Sequence, residues 1–305
     1  MALNYDQISA ITRNKFVPKM VDNIFRQIPL LERMKKRVVL EDGGLKCIQP
    51  LNYAQNGSGG WYNGAETLDT SDTDVITAAE FEWKQLYENI TITRRDEVVN
   101  KGTHGVLKLV AQKMMIAEKT IMDRLATALF NDGTAAKQIA GLLSFMSTSN
   151  TYGGISQTDY SFWQASVDAA TTTLSIAAMQ SAYGAVTVGA DQPTVGITTQ
   201  TIYDLYYALL QPQQRFMDAN SAKAGFQSLM FNGKPIIVDS KCASGYLFFL
   251  NEKYLDLHAQ RDENFRTEPF AKPINQNVKS AKIYWMGAFT CSNVSRQSVM
   301  SAIAA

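Results

Sequence analysis

Apolar and polar positions alternate along this chain in four successive regimes, and each change of regime predicts an element. First, Phe16, Val17, Met20, Val21, Ile24 and Phe25 recur at helical spacing. Ile28-Pro29-Leu30-Leu31 is expected to close that helix, because proline disfavours helical backbone in the residue before it. A basic cluster follows, Arg33, Lys35, Lys36 and Arg37, too short and too poor in aromatics for a nucleic-acid contact and better read as a solvated face or a partner for acids.

In the second regime, Val38-Val39-Leu40 and Leu45 to Tyr53, on either side of an Asp42-Gly43-Gly44 turn, have strand character. From Ala54 to Ala79 the chain becomes a Gly/Asn/Ser/Thr-rich excursion carrying Glu66, Asp69, Asp72 and Asp74. It has too few apolar residues to form a core of its own, and a loop of this length inside a compact domain is usually either functional or disordered. Trp61 and Tyr62 sit in its middle with nothing local to pack on, as aromatic interface anchors do. On the return, Phe81, Trp83 and Tyr87 share one parity while Leu86, Ile90 and Ile92 share the other, so the apolar face changes sides near Lys84 to Leu86. A strand that packs on different partners along its length would do this, and so would a β-bulge; the pattern leaves both open.

The third regime is a long helix. Val106, Val110, Ala117, Ile121, Leu125 and Ala128 keep helical spacing up to Phe130, with Asn131-Asp132-Gly133 as the stop. About 26 residues of helix span roughly 39 Å. The fourth regime is mixed. A loop is expected over Ser147 to Asp159, helices over Leu174 to Tyr183 and Thr201 to Leu210, and strands over Pro193 to Thr198, Tyr246 to Leu250 and Lys282 to Cys291. Asn232-Gly233 between Leu229-Met230-Phe231 and Ile236-Ile237-Val238 predicts a hairpin. The whole reads as an α+β chain.

Composition narrows the function classes. The 305 residues are 46% hydrophobic, enough for a sizeable core. The 29 Lys+Arg against 28 Asp+Glu give no bulk charge to draw nucleic acid or a membrane. Cys47, Cys242 and Cys291 are odd in number and far apart, so neither a disulfide framework nor a zinc site is expected, and a reducing cytosol is. No secretory signal and no membrane-length apolar run is read in the chain. GxGxxG, the phosphate-binding GxxxxGK[ST], HExxH and GxSxG are all absent. His104 and His258 are the two histidines, and each reads as a structural or surface residue. Asp69, Asp72 and Asp74 lack the glycine and terminal glutamate of a calcium loop. No catalytic residue, cofactor or metal is expected.

Three runs carry a resemblance: Trp61-Tyr62-Asn63-Gly64-Ala65-Glu66; Ile90-Thr91-Ile92-Thr93-Arg94-Arg95-Asp96; and the helix ending Leu129-Phe130-Asn131-Asp132-Gly133-Thr134. Ile139-Ala140-Gly141-Leu142 and Thr151-Tyr152-Gly153-Gly154-Ile155 with Trp163 add to it, as does Phe231 to Ile236 with Tyr246 to Leu250. Together they resemble the major capsid proteins of tailed bacteriophages, which share the Hong Kong 97-type fold. That resemblance implies an N-terminal arm (1–36), an extended β-hairpin loop (37–93) lying over a neighbouring subunit, and a peripheral domain (94–140 and 252–286) with a spine helix over about 104–131. A mixed α/β axial domain (141–251 and 287–305) completes it.

It also implies self-assembly into hexamers and pentamers of an icosahedral head around double-stranded DNA, contacted non-specifically on the inner face. A portal, a separate scaffolding protein (the arm before the loop being short) and a decoration protein are the further partners it brings. The place would be the virion, after synthesis in the bacterial cytoplasm. Some relatives crosslink a loop lysine to a distant asparagine; with no lysine between Lys46 and Lys84, that chemistry is not expected at this loop tip. Inter-subunit contact is expected at Trp61, Tyr62, Glu66 and Asp69 and at Arg33, Lys35, Lys36 and Arg37. The competing readings are an encapsulin-type nanocompartment shell and, from another class, a hydrolase or small-molecule-binding module.

Overall fold

A computed structural model describes residues 28–99, 109–214 and 229–304. The predicted helix at Phe16 to Phe25 and His104 lie outside the described residues. Leu30 and Leu31, expected past a helix end, lie inside a helix of their own, α1 (Pro29–Lys35), which Pro29 opens. Ile28 is non-helical, as a residue before proline should be, but proline at the first helical position gives up only an amide that no carbonyl would have accepted. Leu30, Leu31 and Met34 bury the apolar side of α1, and the Leu30 amide donates to the buried Asp239 carboxylate at 3.1 Å.

Next come β1 (Val38–Glu41), β2 (Lys46–Asn52), β3 (Ile76–Glu82) and β4 (Lys84–Thr93), then α2 (Arg94–Val99) and the long helix α3 (Leu109–Ala128). Helix α3 ends before Phe130 because its last turn tightens: the Phe130 amide donates to Thr127 O and that of Asn131 to Ala128 O, three residues back. The Asn131 side-chain oxygen then accepts from the amides of Gly133 and Gly141. A Cβ on Gly141 would lie 2.5 Å from Ala128 O and from the Asn131 amide nitrogen, so only glycine lets the returning chain touch the end of α3.

The remaining elements are α4 (Leu142–Phe145), β5 (Thr151–Tyr152), β6 (Ile155–Ser156), β7 (Ser166–Asp168), α5 (Ile176–Ala185), β8 (Val195–Thr198), α6 (Gln200–Gln214), β9 (Met230–Phe231), β10 (Lys234–Val238), β11 (Leu247–Leu250), β12 (Leu255–Thr267), β13 (Val278–Cys291) and β14 (Ser298–Met300). Where a loop was expected, β5 and β6 form a small antiparallel hairpin that turns at Gly153 and Gly154, both at positive φ. The Asn232-Gly233 hairpin is as read, with φ of 48° and 73° at its two central residues.

One sheet runs β1-β12-β13-β4; a six-stranded sheet runs β7-β14-β11-β8-β10-β9; β2 and β3 pair only with each other. Helices α5 and α6 bury Met179, Tyr183, Ile202 and Tyr206 with Phe231, Phe249 and Met300 of the six-stranded sheet.

The chain forms two compact units. The described part of one is 87–99, 109–121 and 267–283. Within it Lys113 Nζ donates to Thr91 O at 2.8 Å, and Glu97 pairs with Arg94 at 3.0 Å and with Lys279 at 2.7 Å. The other unit holds 28–86, 122–214, 229–266 and 284–304, and with them the whole of the polar excursion.

Candidate functional site

The excursion is built on the β2–β3 hairpin, whose register runs from Lys46↔Glu82 to Asn52↔Ile76. Cys47 and Leu51 of β2, with Ala79 and Phe81 of β3, point one way and are buried. Phe81 packs on Tyr152, ring centres 5.1 Å apart. The Glu80 amide donates to Gly153 O at 2.9 Å. A Cβ on Gly153 would lie 2.9 Å from that of Ala79 and 3.1 Å from the Phe81 ring, so the turn at Gly153 is fitted against the hairpin. Tyr152 is itself held, its hydroxyl accepting from the Cys291 amide and its carbonyl from Trp163 Nε1.

The parity change has its cause here. β3 ends at Glu82, Trp83 breaks the pairing and donates its indole N–H to Gly44 O, and β4 continues in a different sheet. Ala79 and Phe81 face inward before the break, Ile90 and Ile92 after it. The apolar face switches because the strand changes partner, the first of the two alternatives.

Beyond the hairpin, Tyr53 and Val75 make one more backbone bond, and Tyr53 stacks on Phe162 at 5.6 Å. Past that point the hydrogen bonds of residues 54–73 stay inside the excursion. Ser58 and Thr73 donate to the Asn56 side chain, Ser71 to Asp69, and the Asn63 amide to Glu66. The hydroxyl and amide of Ser71 hold the Asp69 carboxyl below the usual aspartate range. Trp61 is fully exposed and Tyr62 is 67% exposed.

The basic cluster is placed differently. Arg33 grips Glu252 with two nitrogens, at 2.5 and 2.6 Å. Arg37 bonds to Asp256 at 3.1 Å and to the carbonyls of Leu255 and Lys253. Lys35 pairs with Glu32 at 3.0 Å, and Lys36 is the exposed member. Burial pushes the Glu252 carboxyl up, but Arg33, Thr194 and Arg37 outweigh it and hold it below the usual glutamate range. The sequence offered a faint signal for this: Glu252 and Asp256 lie four residues apart, but 219 positions from the arginines they hold.

His258 sits 3.1 Å from Glu41 across the β1–β12 pair. All three cysteines are free and buried, and burial pushes the Cys242 thiol up to about 12. Among the described residues no group of His, Cys, Asp and Glu is arranged to hold a metal ion, and no helix is long and apolar enough to cross a membrane.

No protein-family model and no curated protein sequence matches the chain. Solved structures do. The capsid of cyanophage A-1(L) superposes with a TM-score of 0.77 over 97% of this chain and 98% of that one, at 16% identity. The capsid of a native GTA particle gives 0.71 over 100% of both chains at 11% identity. The chain has the capsid fold.

The same fold is found in the holo-SrpI encapsulin of Synechococcus elongatus PCC 7942, with a TM-score of 0.65 over 99% of this chain and 96% of that one at 9% identity. At such identities the likeness is one of architecture. Helix α3 is the described part of the long helix of the sequence reading.

Proposed function

We propose that this chain is a major capsid protein, assembling with copies of itself as hexamers and pentamers into an icosahedral shell around phage double-stranded DNA. One observation carries the reading: shell subunits match this chain over essentially its full length, so little of it is left over for another activity. The excursion supports it in physical terms. A fully exposed tryptophan beside an exposed tyrosine, on a segment with no core beneath it, gains burial only from a partner. Glu66 and Asp69 beside them would set register across the contact more than affinity. Arg33, Lys35 and Arg37 are committed to groups of their own chain, so the share of the basic cluster left for a neighbour rests with Lys36.

The partners that go with this reading are a portal, a separate scaffolding protein, a decoration protein and the packaged DNA; no step of it calls for a catalytic residue or cofactor. Negative-stain microscopy and light scattering of the purified protein are the test. Closed particles are expected, and a monomer that binds metabolites would sink the reading. An encapsulin-type shell shares the fold. Nuclease-protected DNA inside particles recovered from the host marks the viral shell, and an enclosed protein cargo marks the other.

A further inference from the structure

The chain contains three Asn–Gly pairs, Asn56-Gly57, Asn63-Gly64 and Asn232-Gly233, and the fold restrains them differently. In such a pair the glycine nitrogen can attack the asparagine side chain, because glycine puts no Cβ in the way. Ring closure requires rotation about the asparagine Cα–Cβ and Cα–C bonds, so whatever fixes the carboxamide or the backbone slows it. Asn56 is fixed at the carboxamide. Its Oδ1 accepts from the Ser58 amide at 3.1 Å, the Ser58 hydroxyl at 2.7 Å and the Thr73 hydroxyl at 2.9 Å. Asn232 is fixed twice: its Nδ2 donates to Gln180 Oε1 at 2.9 Å, and the β9–β10 pairing of Phe231 with Lys234 closes its turn.

Asn63 has neither restraint. It is exposed on irregular backbone, and among the described residues its carboxamide makes no hydrogen bond. The residue's one bond, from its backbone amide to Glu66 Oε2 at 3.2 Å, leaves both rotations open. Gly64 follows at a φ of +65°, with nothing within 4 Å of where a Cβ would stand. We propose that Asn63 is a site of spontaneous deamidation and isoaspartate formation in the unassembled subunit, and the fastest of the three pairs. This holds whether or not the chain builds a shell.

The Gly64 nitrogen gives its proton to hydroxide and attacks Asn63 Cγ. A new N–Cγ bond forms, the Cγ–Nδ2 bond breaks, and Nδ2 takes a proton from water and leaves as ammonia. Water then opens the cyclic imide. Cleavage at Cγ gives aspartate, and cleavage at the backbone carbonyl gives isoaspartate. The sum is one water consumed and one ammonia released, with no oxidant or reductant. Either product adds a carboxylate near Glu66, on a segment with no lysine or arginine between Cys47 and Trp83. Isoaspartate also lengthens the main chain by a methylene next to Tyr62. Each hydrogen bond that must be given up slows closure by roughly fivefold, so Asn63 reacts about tenfold or more ahead of the two restrained pairs.

The test is peptide mapping of unassembled protein held warm in mildly alkaline buffer and then digested at acid pH. The amide-to-acid mass change is followed at each asparagine, and electron-transfer fragmentation tells isoaspartate from aspartate. Asn63 is expected to convert about tenfold or more faster than Asn56 and Asn232. A rate at Asn63 no greater than at either of the others rejects the proposal. Two further measurements separate the fold from the neighbouring sequence. In unfolding concentrations of urea the three rates should converge, since the restraints on Asn56 and Asn232 are lost; an unchanged ranking overturns the structural cause. Ser58→Ala with Thr73→Val removes two of the three donors to Asn56 and should raise its rate several-fold toward that of Asn63. An Asn56 rate that does not move in this variant counts equally against the proposal.

Discussion

The inner and outer halves of the excursion share one continuous chain and one polar character, yet they are treated in opposite ways. The inner half, β2 and β3, turns Cys47, Leu51, Ala79 and Phe81 onto the body and is clamped there by the Gly153 carbonyl. The outer half, past Tyr53, bonds only within the excursion and leaves Trp61 in water. Stability therefore belongs to the base, and availability to the tip. An apolar residue on the base lowers the free energy of its own subunit; one on the tip does so only when a partner arrives.

Substitutions can break that contrast. Phe81→Ala should cost the most, about 3–5 kcal/mol of subunit stability in urea unfolding, since it empties a buried ring site against Tyr152. A cost below about 1 kcal/mol would mean that the base is not packed as described. Gly153→Ala should follow at about 2 kcal/mol, because alanine must take a φ of +60° and push its Cβ toward Ala79 and Phe81. Thermal unfolding should show the loss, and Gly154→Ala, also at positive φ (+79°) but in open space, should lose less.

Arg33→Met sharpens the comparison with charge already settled within the chain. We expect about 1–2 kcal/mol, reduced from a fully buried pair by the partial exposure of Arg33. Because Glu252 titrates below its ordinary value of 4.5, the pair contributes fully above that pH and fades as the pH falls through it toward the depressed folded value. Stability measured across that acid range should therefore fall less steeply in Arg33→Met than in the unaltered chain. The smallest effect on the subunit belongs to the tip. Trp61→Ala with Tyr62→Ala should change its unfolding free energy by less than about 0.5 kcal/mol while sharply reducing particle yield. Normal particles from that variant would take the tip out of assembly altogether.

How much of this could be read beforehand follows from how local each cause is. The Asn232-Gly233 hairpin was visible because two adjacent residues suffice to make the turn. Helix α5 was visible too, opening at Ser175, whose side chain accepts from the Ala178 amide. Helix α1 was not foreseen because proline both ends and begins helices, and a new helix here depends on where Leu30, Leu31 and Met34 find burial. The parity change before Ile90 was plain in the sequence, but its cause, a change of sheet at Trp83, depends on partners far along the chain. Trp61 and Tyr62 stood out through the lack of apolar neighbours, a local property.

Because the tip's hydrogen bonds close on themselves while the base is packed on the body, the two can vary independently in sequence. Substitutions past Tyr53 change what the tip offers without disturbing the packing of Phe81 on Tyr152, so relatives are free to diverge most where this chain is most exposed.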